Sequence, residues 1–147
     1  MKIAIIGAGY VGLGNALLLA QKNEVCLVDT DPKKVRNINA GISPIGDSLV
    51  SRYLKKYRGN ISAIANIDEA INTVQLCMIA TPTNFKNKIT GFDTSTIDKN
   101  LSYLKKLKFK NPIVIRSTLP IGYTESAIRK YKDLKISFFP EFLREGY

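Results

Sequence analysis

A chain of 147 residues with 45% apolar side chains suits one domain built on a single sizeable core. No apolar run approaches the roughly 20 residues needed to span a bilayer, and Met1-Lys2 leads straight into an apolar strand and a glycine turn instead of a secretory leader. The net charge of +10 does not mark a nucleic-acid site: Lys33, Lys34, Lys55, Lys56, Lys105, Lys106, Lys130 and Lys132 are dispersed over the polar faces of predicted helices, with no recognition motif. They read as a solvated basic surface with a mild attraction for anionic nucleotides.

In chain order, strands are predicted near 2–6, 24–28, 61–65, 75–80, 112–117 and 135–139. Helices are predicted near 10–22, 32–40, 47–57, 67–73, 95–107 and 123–132. The first helix carries Val11, Leu13, Ala16, Leu17, Leu18 and Ala20, broad apolar coverage suited to packing on a sheet. Pro32 opens the second helix, where its missing N–H costs nothing. The runs Gln75-Leu-Cys-Met-Ile-Ala80 and Pro112-Ile-Val-Ile115 are apolar without alternation, as expected of strands covered on both faces of a parallel sheet. Alternating β and α segments joined by right-handed crossovers predict an α/β fold of the Rossmann type, a doubly wound parallel sheet with helices on both faces. There are no internal repeats and no interdomain linker. Cys26 and Cys77 fall inside strands and read as small buried hydrophobes in a reducing, hence cytoplasmic, compartment.

Chemistry concentrates where strands end. The first strand breaks into Gly7-Ala-Gly9-Tyr-Val-Gly12, and Asp29 closes the second strand. Strand, glycine turn, helix, strand and acid in this order form a dinucleotide-binding fingerprint. Gly7 permits the tight turn, Gly9 lets a pyrophosphate approach the backbone, and Gly12 lets the helix pack close to the sheet. The helix N-terminus then offers N–H groups and a positive dipole end to the phosphates. A carboxylate at Asp29 accepts ribose hydroxyls and repels a 2′-phosphate, which favours NAD over NADP. Ligands of such folds bind beyond the carboxyl ends of the strands, where three loops are found: 80–85, 116–124 and 139–146. The hydroxyls of Thr81–Thr83 and of Ser117 and Thr118 either face a ligand or cap a following helix. Glu141 and Glu145 are either functional carboxylates or a solvated pair.

Six segments carry a resemblance that spans the chain in order: Lys2-Ile-Ala-Ile-Ile-Gly-Ala-Gly-Tyr-Val-Gly-Leu13, Gly41-Ile-Ser-Pro-Ile45, Ile79-Ala-Thr-Pro-Thr-Asn84, Phe92-Asp-Thr94, Ser117-Thr-Leu-Pro-Ile-Gly122 and Phe139-Pro-Glu-Phe-Leu-Arg-Glu-Gly146. Together they resemble the N-terminal NAD-binding domain of the UDP-glucose/GDP-mannose dehydrogenase family, most closely its UDP-glucose 6-dehydrogenases, with GDP-mannose or other nucleotide-sugar dehydrogenases as the alternative. The resemblance implies a four-electron oxidation of UDP-glucose at C6 with two NAD and one water, through a thioester on a cysteine, and no metal. It also implies site residues. Gly7, Gly9, Tyr10, Val11 and Gly12 would hold the pyrophosphate, and Asp29 with Lys34 the adenosine ribose. Thr83, Thr118 and Glu145 would border the nicotinamide half. Thr118, Glu141 and Glu145 would act on the reacting centre and its water, and Glu141, Phe142, Leu143, Arg144 and Glu145 would line the sugar end.

The family's nucleophile lies in a downstream Gly-Gly-x-Cys segment, and neither Cys26 nor Cys77 matches it. Residues 1–147 are therefore expected to form the N-terminal NAD-binding domain of a truncated chain, with the central helix and UDP-binding domain absent. Such a chain should be inactive alone and should lack the family's dimer; it would then serve as part of an enzyme or as a non-catalytic NAD-binding module.

Overall fold

The computed structural model describes residues 1–87 and 91–141. Its centre is a six-stranded, all-parallel sheet made of β1 (Lys2–Ile6), β2 (Glu24–Val28), β3 (Ile61–Ile64), β4 (Leu76–Ile79), β7 (Pro112–Ile115) and β8 (Lys135–Phe138), in the order β3-β2-β1-β4-β7-β8. The chain winds outward from β1 to β3, returns to β4 beside β1, and winds the other way to β8. The direction reverses between β1 and β4, which makes the carboxyl ends of those two strands the place where such a sheet opens a crevice.

Alternation along the strands builds a core on each face. Ile3, Ile5, Val25, Leu27 and Met78 point to one side and pack with Leu13 and Ala16 of α1 (Tyr10–Leu19), Ile38 of α2 (Pro32–Asn39) and Leu54 of α3 (Ser48–Lys56). Ala4, Val28, Cys77, Ile79, Ile113 and Ile115 point to the other. There they meet Ile97, Leu101 and Leu104 of α4 (Ser95–Lys106) and Ala127 of α5 (Tyr123–Lys130). Each fully buried Leu or Ile stabilises the fold by about 1.5–3 kcal/mol relative to exposure.

Local chemistry sets the helix starts. Pro32 occupies the first turn of α2, and the Asp31 side chain accepts from the Lys33 N–H at 2.8 Å. Asp47 does the same for α3, accepting from the amides of Leu49 and Val50. The last turn of α3 carries Lys55 and Lys56, which complement its dipole.

Two sequence expectations are corrected. The helix expected at 67–73 is only a 3₁₀ turn, Ile67–Glu69. The segment between β3 and β4 must bury Ile67, Ile71 and Val74 under the sheet while recrossing it in few residues, and one tight turn capped by the Asn66 side chain fits that span. The loop expected after β4 continues into a two-stranded antiparallel hairpin, β5 (Phe85–Asn87) with β6 (Gly91–Phe92).

Cys26 is half-buried and Cys77 buried, both as free thiols. Burial pushes the Cys77 thiol up to about 12. Burial also raises that of Cys26, a hydrogen bond with Ser62 opposing it and the Glu69 charge adding to it. Since the thiolate is the reactive form, a thiol reagent at pH 8 should label the native chain slowly at Cys26 and not at Cys77, and both rapidly in guanidinium. Fast native labelling of Cys77, read by peptide mass, would contradict this packing.

Candidate functional site

The glycine turn is wedged into the sheet at the reversal point. The Gly7 N–H donates to the Val28 carbonyl at 2.8 Å. Gly7 has a φ of +105°, and a Cβ there would lie 2.5 Å from the Ala80 oxygen, so both backbone conformation and space demand glycine. A Cβ on Gly12 would lie 1.8 Å from the Gly7 oxygen, because α1 packs directly on the turn. Gly9 differs. Its φ is −88°, and a Cβ there would meet nothing within 4 Å. The protein's own packing therefore does not require glycine at position 9. Gly9 leaves a bare stretch of backbone beside the N-terminus of α1, whose first-turn amides have no acceptor within the helix.

Two cavities flank this turn. One, of about 440 Å³, brings together Gly9, Tyr10, Val11, Thr83, Thr118 and Glu141. The other, of about 280 Å³, is mostly apolar and lies between Gly7, Asp29, Ile67 and the α4 residues Asn100 and Tyr103. The Tyr103 hydroxyl donates to both oxygens of Asp68, at 2.8 and 2.6 Å, closing that wall, and the carboxylate raises the phenol above its ordinary range. A further cavity of about 410 Å³ lies at the amino ends of the strands, beside Lys2 and Glu24, far from the glycine turn.

Asp29 is held from both sides. Its Oδ2 accepts from the Ala8 N–H at 2.9 Å and its Oδ1 from the Asp31 N–H at 3.0 Å. Lys34 Nζ stands 3.4 Å from Oδ2. These bonds fix the carboxylate at the end of β2 on the wall of the smaller cavity. Lys34 lines neither cavity and reaches the site only through Asp29.

The hydroxyl loops divide in role. The element after Thr81–Thr83 is the strand β5, and α5 has Gly122 at its N-cap with no side-chain cap hydrogen bond, so none of these hydroxyls caps a helix. Thr83 and Thr118 line the larger cavity. Ser117 also lines that cavity, and its buried hydroxyl donates to the Thr81 carbonyl at 2.7 Å, tying the ends of β4 and β7 together.

Sequence reasoning passed over Arg116. It is 8% exposed and follows the apolar run of β7. Its guanidinium pairs with the Glu141 carboxylate, donates to the Phe139 carbonyl at 3.2 Å and lies 4.8 Å from the centre of the Phe139 ring. Glu141 is thereby fastened to the end of β7 on the wall it shares with Thr118. An arginine ending a buried strand was the available signal, since such a charge needs a partner. Phe142, Leu143, Arg144 and Glu145 lie outside the described residues.

A doubly wound sheet, a glycine turn at its reversal point and an acid ending β2 define a dinucleotide-binding domain. Residues 1–147 match the UDP-glucose/GDP-mannose dehydrogenase family, NAD binding domain. The chain belongs to this family and carries its NAD-binding domain. It is 42% identical over 148 residues to a UDP-glucose 6-dehydrogenase of Campylobacter jejuni, covering 99% of this chain and 38% of that protein. With a UDP-glucose 6-dehydrogenase of Streptococcus pneumoniae it shares 41% over 146 residues, covering 99% and 37%. Among solved structures, a ternary complex of GDP-mannose dehydrogenase from Pseudomonas aeruginosa superposes with a TM-score of 0.86 at 27% identity, over 99% of this chain and 37% of that one. The chain thus spans well under half the length of these relatives. Among the described residues no helix is long and apolar enough to cross a membrane.

Proposed function

We propose that this chain is the cofactor-binding part of a UDP-glucose 6-dehydrogenase, which oxidises UDP-glucose to UDP-glucuronate with two NAD and one water. The observation that carries the reading is the junction of two cavities at the glycine turn, with Asp29 on one wall and Thr83, Thr118 and Glu141 on the other. Identities of 42% and 41% with two UDP-glucose 6-dehydrogenases support UDP-glucose as the substrate.

The residues fit the cofactor. Gly9 leaves the backbone bare toward the larger cavity, and the first amides of α1 bind the diphosphate there. Asp29, pre-oriented by the Ala8 and Asp31 amides, accepts the adenosine ribose hydroxyls, with Lys34 balancing its charge. Bound NAD supplies a hydride acceptor. Thr118 and Glu141, together on one wall, orient a water and the substrate hydroxyl at the reacting end, and Glu145 is the base for releasing the acid. By the family resemblance, Phe142, Leu143 and Arg144 would line the sugar end of the substrate. The reading includes a cytoplasmic location, which the two free thiols fit. It includes no nucleic-acid partner and no dimer of the family's kind for this chain alone.

Calorimetric titration tests the reading. NAD should bind more tightly than NADP, and residues 1–147 given UDP-glucose should form no NADH at 340 nm, since neither Cys26 nor Cys77 matches the family's nucleophile segment. NADP binding as tight as NAD, or steady NADH formation by this chain, would overturn it.

A further inference from the structure

Thr81 is the one residue among those described that lines both cavities. It lies two residues beyond the end of β4 and is 8% exposed. Its backbone is fixed twice over. The carbonyl accepts from Ser117 at 2.7 Å, and the amide nitrogen packs so near Gly7 that a Cβ there would stand 3.1 Å away. Its side chain is not fixed in this way: Oγ1 is buried with no hydrogen-bond partner among the described residues.

A buried hydroxyl without a partner works against the folded state, and valine would fill the same volume without that penalty. The fold therefore gives no reason for a hydroxyl at position 81. Position supplies one. A ligand that fills both cavities passes beside Thr81, the lining residue they share, and the segment of a dinucleotide that lies there is its diphosphate and the adjoining ribose, a run of acceptor oxygens. A threonine hydroxyl donates one hydrogen bond, and a turn about χ1 exchanges it with the methyl group.

We propose that the Thr81 hydroxyl is a cofactor-binding group that donates to the diphosphate–ribose bridge of the bound dinucleotide. The inference rests on the NAD reading above and adds a contact between the two halves of the site.

The test is titration of the full chain and its Thr81→Val and Thr81→Ser variants with NAD and with ADP-ribose, alongside urea unfolding without ligand. Thr81→Val should weaken both ligands about tenfold, the value of one hydrogen bond with a partner left unpaired. Its urea midpoint should be equal to or above the parent's, and Thr81→Ser should retain most of the affinity. Unchanged NAD affinity in Thr81→Val would overturn the proposal. So would a lowered urea midpoint with unchanged binding, which would assign the hydroxyl to the fold. Loss of NAD binding with ADP-ribose unaffected would move the contact to the nicotinamide and overturn the bridge assignment. Absence of NAD binding by the parent chain would overturn the underlying reading and this inference with it.

Discussion

Replacing Gly12 with alanine should cost the chain most of its stability, with a urea midpoint far below the parent's or no cooperative transition at all. Two effects oppose each other at this position. Alanine is a better helix former than glycine by about 1 kcal/mol, and Gly12 lies inside α1. Against that, the new Cβ would sit 1.8 Å from the Gly7 oxygen and 3.0 Å from its carbon. Both are backbone atoms of a turn that is itself pinned to Val28 and pressed against Ala80. Overpacking typically costs about 1–3 kcal/mol, and more when backbone must move. Relief here requires lifting α1 off the sheet and exposing Leu13 and Ala16, both fully buried. A domain holds only about 5–15 kcal/mol in all, so sterics win over propensity. Two other glycines serve as controls. Gly14 lies in the same helix with nothing within 4 Å of its would-be Cβ, so Gly14→Ala should stabilise by up to about 1 kcal/mol. Gly9→Ala should leave stability unchanged or slightly raised, by about 0.4–1 kcal/mol, while impairing NAD binding. Urea unfolding of the three variants decides it. A Gly12→Ala variant as stable as the parent would mean that α1 is not seated on the turn as described.

These glycines also show what a sequence reveals and what it hides. The fingerprint Gly7-x-Gly9-x-x-Gly12 with Asp29 was legible because its parts lie in one βαβ unit and their spacing is local. The six parallel strands were legible because two-sided burial leaves unbroken apolar runs such as 76–79 and 113–115. What could not be read depends on contacts between distant segments. The segment at 67–73 has helix-compatible residues, yet it forms a single 3₁₀ turn because the span between β3 and β4 sets its length. The wall of the smaller cavity needs Tyr103 from α4 to reach Asp68, 35 residues away in sequence. Arg116 reads as an ordinary strand-end cation until Glu141 and Phe139 are brought beside it. The sequence left Ser117 between capping a helix and meeting a ligand. The structure gives it a third role as a tie between strand ends, which only the adjacency of β4 and β7 creates.

Replacing Asp29 should separate recognition of NAD from discrimination against NADP. The carboxylate has two duties. Toward the protein it accepts the Ala8 and Asp31 amides, and toward the cavity it presents lone pairs and a negative charge. Asp29→Ala removes both. A hydrogen bond to a charged group is worth about 1.5–3 kcal/mol, so losing the ribose anchor should weaken NAD by about 10²-fold. The fully buried Ala8 would also lose the acceptor for its N–H, so this variant should unfold at lower urea as well. Asp29→Asn is the cleaner probe. Its one side-chain oxygen can still accept from Ala8, its NH2 then faces the Asp31 N–H and forgoes that bond, and the charge is gone. NAD should weaken by only about tenfold, in proportion to the difference between charged and neutral hydrogen bonds. NADP should bind more tightly than to the parent, because its 2′-phosphate no longer meets a carboxylate and finds Lys34, which stands 3.4 Å from the Asp29 oxygen, without its counter-charge. The gain is electrostatic at a partly exposed site, so it should shrink as salt rises from 0.05 to about 0.5 M, where the screening length falls to a few ångströms. Calorimetric titration of parent and variant with both cofactors at the two salt concentrations measures all of this. An unchanged NAD-to-NADP ratio in Asp29→Asn would show that the charge at the end of β2 does not set cofactor preference, and that the ribose is read by other groups.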